Sequence, residues 1–207
     1  MQLSELYESF YTGLKQTGPV EMIAVISGIV SVWFSRKESI WVYPTGILNT
    51  ILFIYLSLQG HLLGEASVNL YYTIMSLYGW WLWTRKNNLS GSYILHITKN
   101  SASDWKFQLL FFGIAYILIY LALGWAKSAF APEAIPWADA FASATAYTGM
   151  WGMAKKKVAS WYWWIATNLA SIPLYFIKGY MFTSVQFVIL LILAVAGLVS
   201  WQKKAIR

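Results

Sequence analysis

EMIAVISGIVSVWFSRK (residues 21–37) and DAFASATAYTGMWGMAK (residues 139–155) are two versions of one segment. An acid opens each, Trp33 answers Trp151 and Lys37 answers Lys155, all at a spacing of 118. The correspondence continues outward. Asn49 with Asn168 and Gly60 with Gly179 match at 119, Ser67-Val68-Asn69 with Ser184-Val185-Gln186 at 117, and Gly79 and Trp83 with Gly197 and Trp201 at 118. Self-similarity at a fixed period is the mark of a duplicated unit. Here the unit is about three apolar stretches long.

Those stretches are the second clue. Of the 207 residues 58% are hydrophobic and only 11% charged, where a soluble domain carries about a quarter charged residues. A bilayer core about 30 Å thick needs roughly 20 apolar residues per helix, with every backbone group satisfied inside the helix. Charge-free stretches therefore predict seven spans, at residues 22–35, 39–60, 66–84, 107–126, 140–154, 158–177 and 179–202. The short first and fifth borrow residues ahead of Glu21 and Asp139. Many of the 13 Trp and 14 Tyr stand near the ends of these stretches, where amphipathic rings meet the membrane surface.

Residues 1–18 do not read as a cleavable signal, because Glu5 and Glu8 replace a basic start. Leu3, Leu6, Tyr7, Phe10 and Leu14 instead form one apolar stripe, which predicts a short amphipathic helix. Residues 19–84 then make the first three-helix repeat, 85–106 a polar linker, 107–126 a linker transmembrane helix and 137–202 the second repeat. Residues 131–136, with two prolines, form a further loop. The repeats begin four spans apart, so both enter from the same face. The expected fold is all-α integral membrane, seven transmembrane helices in a 3+1+3 parallel-repeat (SWEET-like) arrangement.

Alternate loops fall on opposite sides. Of the 15 Lys and Arg, only Lys15, Lys127 and Lys178 fall on one side. The rest, including Arg36, Lys37, Arg85, Lys86, Lys155, Lys156 and Lys157, fall on the other. Cytoplasmic loops keep the basic excess, so the C-terminus is expected inside a bacterial plasma membrane. The net charge of +7 is then a topology signal, not a nucleic-acid footprint. Most acids lie on the outer side, where a negative mouth would concentrate a cation.

Polar side chains deep in a span are costly unless they face the bundle interior. Asn49, Asn69, Asn168 and Gln186 are therefore candidate substrate-binding residues, each offering a donor and an acceptor. Taken singly, each reads more readily as hydrogen-bonding glue between helices; occurring as repeat-related pairs favours a binding role. Trp164 lies four residues before Asn168 and Trp161 continues that stripe, while Tyr72 follows Asn69 by three and Trp80 lies eight further on. Rings on those faces could stack on a flat heterocycle and attract a cation. Pro44 and Pro173 are plausible kinks near the site. The chain has no cysteine, GxxxxGK[ST], GxSxG or HExxH, so no thiolate or metal chemistry, ATPase or hydrolase is indicated and no cofactor is expected. His61 and His96 lie in expected loops, too far apart in sequence to suggest a metal pair. A membrane enzyme acting on lipid headgroups would need a converging acid, base or metal set, and no spacing joins Glu21, Asp139 and His61 into one.

Residues 45–49 (TGILN), 76–86 (SLYGWWLWTRK) and 161–164 (WYWW), with Asn168, Lys178-Gly179-Tyr180 and Trp201, resemble the PnuC family of nicotinamide riboside transporters over nearly the whole chain. The resemblance implies the 3+1+3 fold, often as a homotrimer, importing its vitamin by facilitated diffusion while a separate cytoplasmic kinase traps the product. Two departures bear on substrate. Asn69 stands where many relatives carry Gln, and Val42-Tyr43-Pro44-Thr45 looks more like branches associated with thiamine. Both vitamins are cations with a flat ring.

Overall fold

The computed structural model describes residues 3–59, 63–87, 91–129 and 134–205; His61 and loop residues 131–133 lie outside them. Eight helices follow one another among the described residues: α1 Leu3–Gln16, α2 Pro19–Lys37, α3 Val42–Gln59, α4 Leu63–Thr84, α5 Ala102–Ala129, α6 Pro136–Ala154, α7 Ser160–Ile177 and α8 Met181–Lys204. Extended backbone among them is confined to the isolated bridges Lys86–Tyr93 and Thr98–Lys157.

The helix ends follow from local chemistry. Pro19 and Pro136 stand at the first turns of α2 and α6, where the missing N–H costs nothing and the fixed φ suits the helix. That is why both helices start ahead of their leading acid. Just beyond them, Glu38 (φ 63°) and Lys156 (φ 51°) adopt left-handed backbone, uncommon for residues with a Cβ. They too are 118 apart. At the start of α5, Ser101 Oγ accepts from Asp104 N while Asp104 Oδ2 accepts from Ser101 N and Oγ, a reciprocal cap that satisfies the first turn. Burial works against the Asp104 charge, but hydrogen bonds from Lys157 Nζ and Ser101 hold its carboxyl down to about 2.

Within each half consecutive helices pack together: α2 on α3 on α4, and α6 on α7 on α8. The halves join through α2 against α8 and α6 against α4. These two contacts interchange when each helix is replaced by its repeat partner.

One end of the bundle shows it residue by residue. Trp83 Nε1 donates to Ala154 O in the last turn of α6 (3.2 Å), and Trp201 Nε1 donates to Ser35 O in the last turn of α2 (3.0 Å). Tyr43 meets Trp83 edge-on at 5.2 Å, and Trp161 meets Trp201 edge-on at 5.5 Å. A Cβ on Gly79 would collide with the Tyr43 ring, and one on Gly197 with the Trp161 ring, so only glycine admits these contacts. Between the halves, Lys156 Nζ donates to Glu38 Oε1 at 2.8 Å and Ser35 Oγ to Met153 Sδ at 2.9 Å. Both contacts join positions 118 residues apart.

Four helices, α2, α3, α5 and α8, are long and apolar enough to cross a membrane by length and composition, against the seven spans read from charge-free stretches. The others, α4, α6 and α7, carry the polar and small residues of the interior. Ala140, Ala144, Thr145, Thr148, Gly149 and Gly152 line the buried face of α6. A helix packed on its neighbours through small side chains does not need a lipid-facing surface all round. By contrast α5 packs its backbone closely against α6, touches α7 through Gln108 and Phe112 on Trp163, and exposes Leu110, Ile114, Leu118 and Leu121. Its 28 residues span about 42 Å at 1.5 Å per residue. The amphipathic α1 rests on α8, with Phe10 5.8 Å from Phe182.

The segment between α4 and α5 is pinned to the α6–α7 turn. Thr98 N donates to Lys156 O, Val158 N to Thr98 O, and Ala159 N to Asn100 Oδ1. Ile97 is buried there. Lys157 binds Asp104 at 2.8 Å.

Candidate functional site

Between α4, α6 and α7, near mid-depth, aromatic rings converge. Tyr72 lies 6.1 Å from Tyr147, perpendicular to it, and 6.4 Å from Trp164; Tyr71 lies 4.4 Å from Tyr147. Tyr71 also donates to the Tyr147 carbonyl at 3.1 Å. The Trp164 ring can lie against α6 because position 149 is glycine: a Cβ there would sit 3.2 Å from Trp164 Cε2. One turn further along α7 is Asn168, only 3% exposed. Its amide has no hydrogen-bond partner among the described residues. An amide in that position offers a donor and an acceptor to a ligand or to water.

The repeat partner of Asn168 behaves differently. Asn49 Nδ2 donates to Ala24 O at 2.7 Å, tying α3 to α2. In the second half Thr145 Oγ1 donates to the Ala142 carbonyl, and Thr167 Oγ1 to Thr145. The threonines satisfy the α6–α7 contact and leave Asn168 unengaged. The two halves share a framework but not a site.

Of the eight residues singled out from sequence, Tyr72 and Trp164 meet in this cluster, and Asn168 lies one turn from Trp164 on the same helix. Trp161, 1% exposed, lies at the end of the bundle beside Trp201, packed into the symmetric core. Asn69 donates to Glu65 O on its own helix at 2.9 Å, Trp80 is on an exposed face of α4, and Gln186 is half-buried on α8. Tyr147 and Tyr175 had not been singled out. Tyr175 extends the Trp164–Asn168 stripe by seven residues, so helical spacing pointed to it. Tyr147 carried only the signal of a phenol in the middle of an Ala-rich span.

Tyr175 stacks on Phe187 at 5.2 Å and lies within electrostatic range of Tyr72, Glu65 and Asp139. At that end Lys178 Nζ holds both oxygens of Asp139, at 2.7 and 2.9 Å, and Asp139 Oδ2 accepts from Ile135 N. The phenols thus run from a charged mouth to the mid-depth cluster. At the opposite end Glu38, Lys156, Trp83 and Trp201 pack against one another.

A bundle with membrane-crossing helices, a closed charged end and an aromatic and amide cluster between its halves has the layout of a small-molecule membrane carrier. The profile of the nicotinamide mononucleotide transporter family matches residues 18–203, and the chain belongs to that family, the PnuC transporters. It is 22% identical over 193 residues to the riboflavin/roseoflavin transporter RibM of Streptomyces davaonensis, and 22% identical over 205 residues to the nicotinamide riboside transporter PnuC of Escherichia coli. Each alignment covers 90% of this chain and 86% of the relative. The crystal structure of the vitamin B3 transporter PnuC shares the fold at a TM-score of 0.69 and 19% identity, covering 97% of this chain and 88% of that one. The protein is therefore a multi-pass inner-membrane transporter of a vitamin-related molecule, and the matches point away from an enzyme.

Proposed function

We propose that the protein imports nicotinamide riboside by facilitated diffusion, with a separate cytoplasmic kinase trapping the product. The observation that carries this reading is the convergence of Tyr72, Tyr147 and Trp164, with the Asn168 amide one turn from Trp164 on α7. A pyridinium cation is drawn to aromatic faces by about 0.5 to 2 kcal/mol per contact. The carboxamide of the same ring offers a donor and an acceptor, which an asparagine amide meets reciprocally. In this account three-helix repeats flank a central path, the seven helices α2 to α8 all span the bilayer, and the C-terminus is cytoplasmic. The Glu38–Lys156 pair closes the inner end and the Asp139–Lys178 pair narrows the outer. Three copies assemble in the membrane.

The likeness to RibM favours a second reading, in which the cargo is riboflavin, a flat heterocycle with a hydroxylated chain. Residues 42–45 add thiamine as a third competitor. Uptake of labelled nicotinamide riboside into liposomes holding the purified protein, with each unlabelled vitamin as competitor, separates them. Saturable uptake blocked by nicotinamide riboside alone is the expected result. Stronger block by riboflavin or thiamine would reassign the cargo, and no saturable flux in folded protein would overturn the proposal.

A further inference from the structure

Two cavities on the basic side of the protein share Lys155 and Lys157. One, of about 270 Å³, is bounded by Ser103, Asp104, Phe107, Gln108, Trp151 and these lysines. The other, of about 430 Å³, is bounded by Tyr78, Leu82, Ile94, Leu95 and the same pair. Helices α4 and α5 make no packed contact with each other, so α6 forms the back wall of a cleft between them. Trp151 stands in that cleft, 6.3 Å from Tyr78 of α4 and 5.6 Å from Phe107 of α5.

The polar groups here are arranged for an anion. Asp104 is neutralised by Lys157 at 2.8 Å. Lys155 Nζ lies 4.1 Å over the Trp151 ring and has no carboxylate partner among the described residues. Gln108 is only 3% exposed; its Oε1 accepts from Trp163 Nε1 at 2.8 Å. That bond fixes the amide so that Nε2, without an acceptor among the described residues, is the group left to the cavity. A cation, an amide donor and the Ser103 hydroxyl therefore stand over an aromatic floor. Apolar side chains continue away from them along both flanks: Leu110 and Ile114 of α5 and Leu77 and Trp81 of α4 are exposed.

We propose that this cleft holds an anionic glycerophospholipid, with its phosphate on Lys155 and Gln108 and an acyl chain along Phe107 and Trp151. The length of α5, about 42 Å against a hydrocarbon core of about 30 Å, places its first turns at headgroup level. In the orientation proposed above, the basic loops face the leaflet that carries anionic lipid. A free phosphate would use the cation and the amide but not the aromatic floor.

The test titrates the full-length protein in detergent with phosphatidylglycerol, with phosphatidylcholine of the same acyl chains and with inorganic phosphate, read by native mass spectrometry and thermal melting. Phosphatidylglycerol should bind saturably and raise the melting temperature while the other two do not. Lys155→Gln should weaken that binding on the order of fivefold, from about 1 kcal/mol per basic residue at the membrane surface. Lys155→Arg should keep it, and Lys203→Gln, on the same side but outside the cleft, should leave it unchanged. Equal binding of phosphatidylcholine, or an equal loss in Lys203→Gln, would overturn the site. Equal stabilisation by inorganic phosphate would overturn the lipid assignment.

Discussion

Neutralising either member of the Glu38–Lys156 pair should destabilise the protein unequally. Lys156 is the more deeply placed, its side chain 7% exposed against 26% for Glu38. At 2.8 Å and an effective dielectric of about 20, the attraction is about 6 kcal/mol. Desolvation of the partly buried ammonium takes back most of it, leaving a coupling of about 2 kcal/mol. Removing Lys156 leaves Glu38 a second cation, Lys204, at 3.6 Å. Removing Glu38 leaves Lys156, among the described residues, the Trp83 ring at 4.6 Å. Glu38→Gln should therefore cost about 3 kcal/mol, near the lower end for a broken buried pair, and Lys156→Gln about 1 kcal/mol less. The assay is a double-mutant cycle read by unfolding with SDS, with initial uptake into liposomes measured alongside. If the pair holds the inner end shut, uptake by each single variant should rise while stability falls. A coupling below about 0.5 kcal/mol, or a larger loss in Lys156→Gln, would refute the reasoning.

Asn168→Leu should weaken binding of nicotinamide riboside at least tenfold, the worth of a hydrogen-bonded amide, with the melting temperature held; unchanged affinity by calorimetry would return Asn168 to a purely structural role. Gly197→Ala should cost about 1–3 kcal/mol by forcing Trp161 off Trp201, seen as a lower melting temperature, while Gly18→Ala, with open space around it, should leave melting almost unchanged. Asp104 is held down to about 2 from 3.8, so its contribution is fully present above the unfolded value near 4 and is lost as pH falls through about 2. Asp104→Asn should accordingly melt lower than the parent at pH 7 and converge with it near pH 2; a constant difference across that range would contradict the assignment.

The 118-residue spacing was legible because several of its matches are residues that pack against one another across the bundle. Trp83, Trp201, Gly79 and Gly197 sit at 118-residue spacing for a packing reason, and charge-free stretches marked where helices lie. The choice of site residues was less legible. Pairing Asn49 with Asn168 treated the halves as equivalent, whereas Thr145 and Thr167 take over the helix contact on one side only. Trp161 shares a stripe with Trp164 and Asn168, but periodicity reports the face of a helix and not the depth along it. The aromatic cluster depends on Tyr147 reaching Tyr72 across the α4–α6 contact, which local spacing does not encode.

A structure determined with nicotinamide riboside bound decides whether this cluster is the binding site. Ligand density is expected between Tyr72, Tyr147 and Trp164, with its carboxamide on the Asn168 amide. Density elsewhere in the bundle, with Asn168 still unengaged, would contradict it.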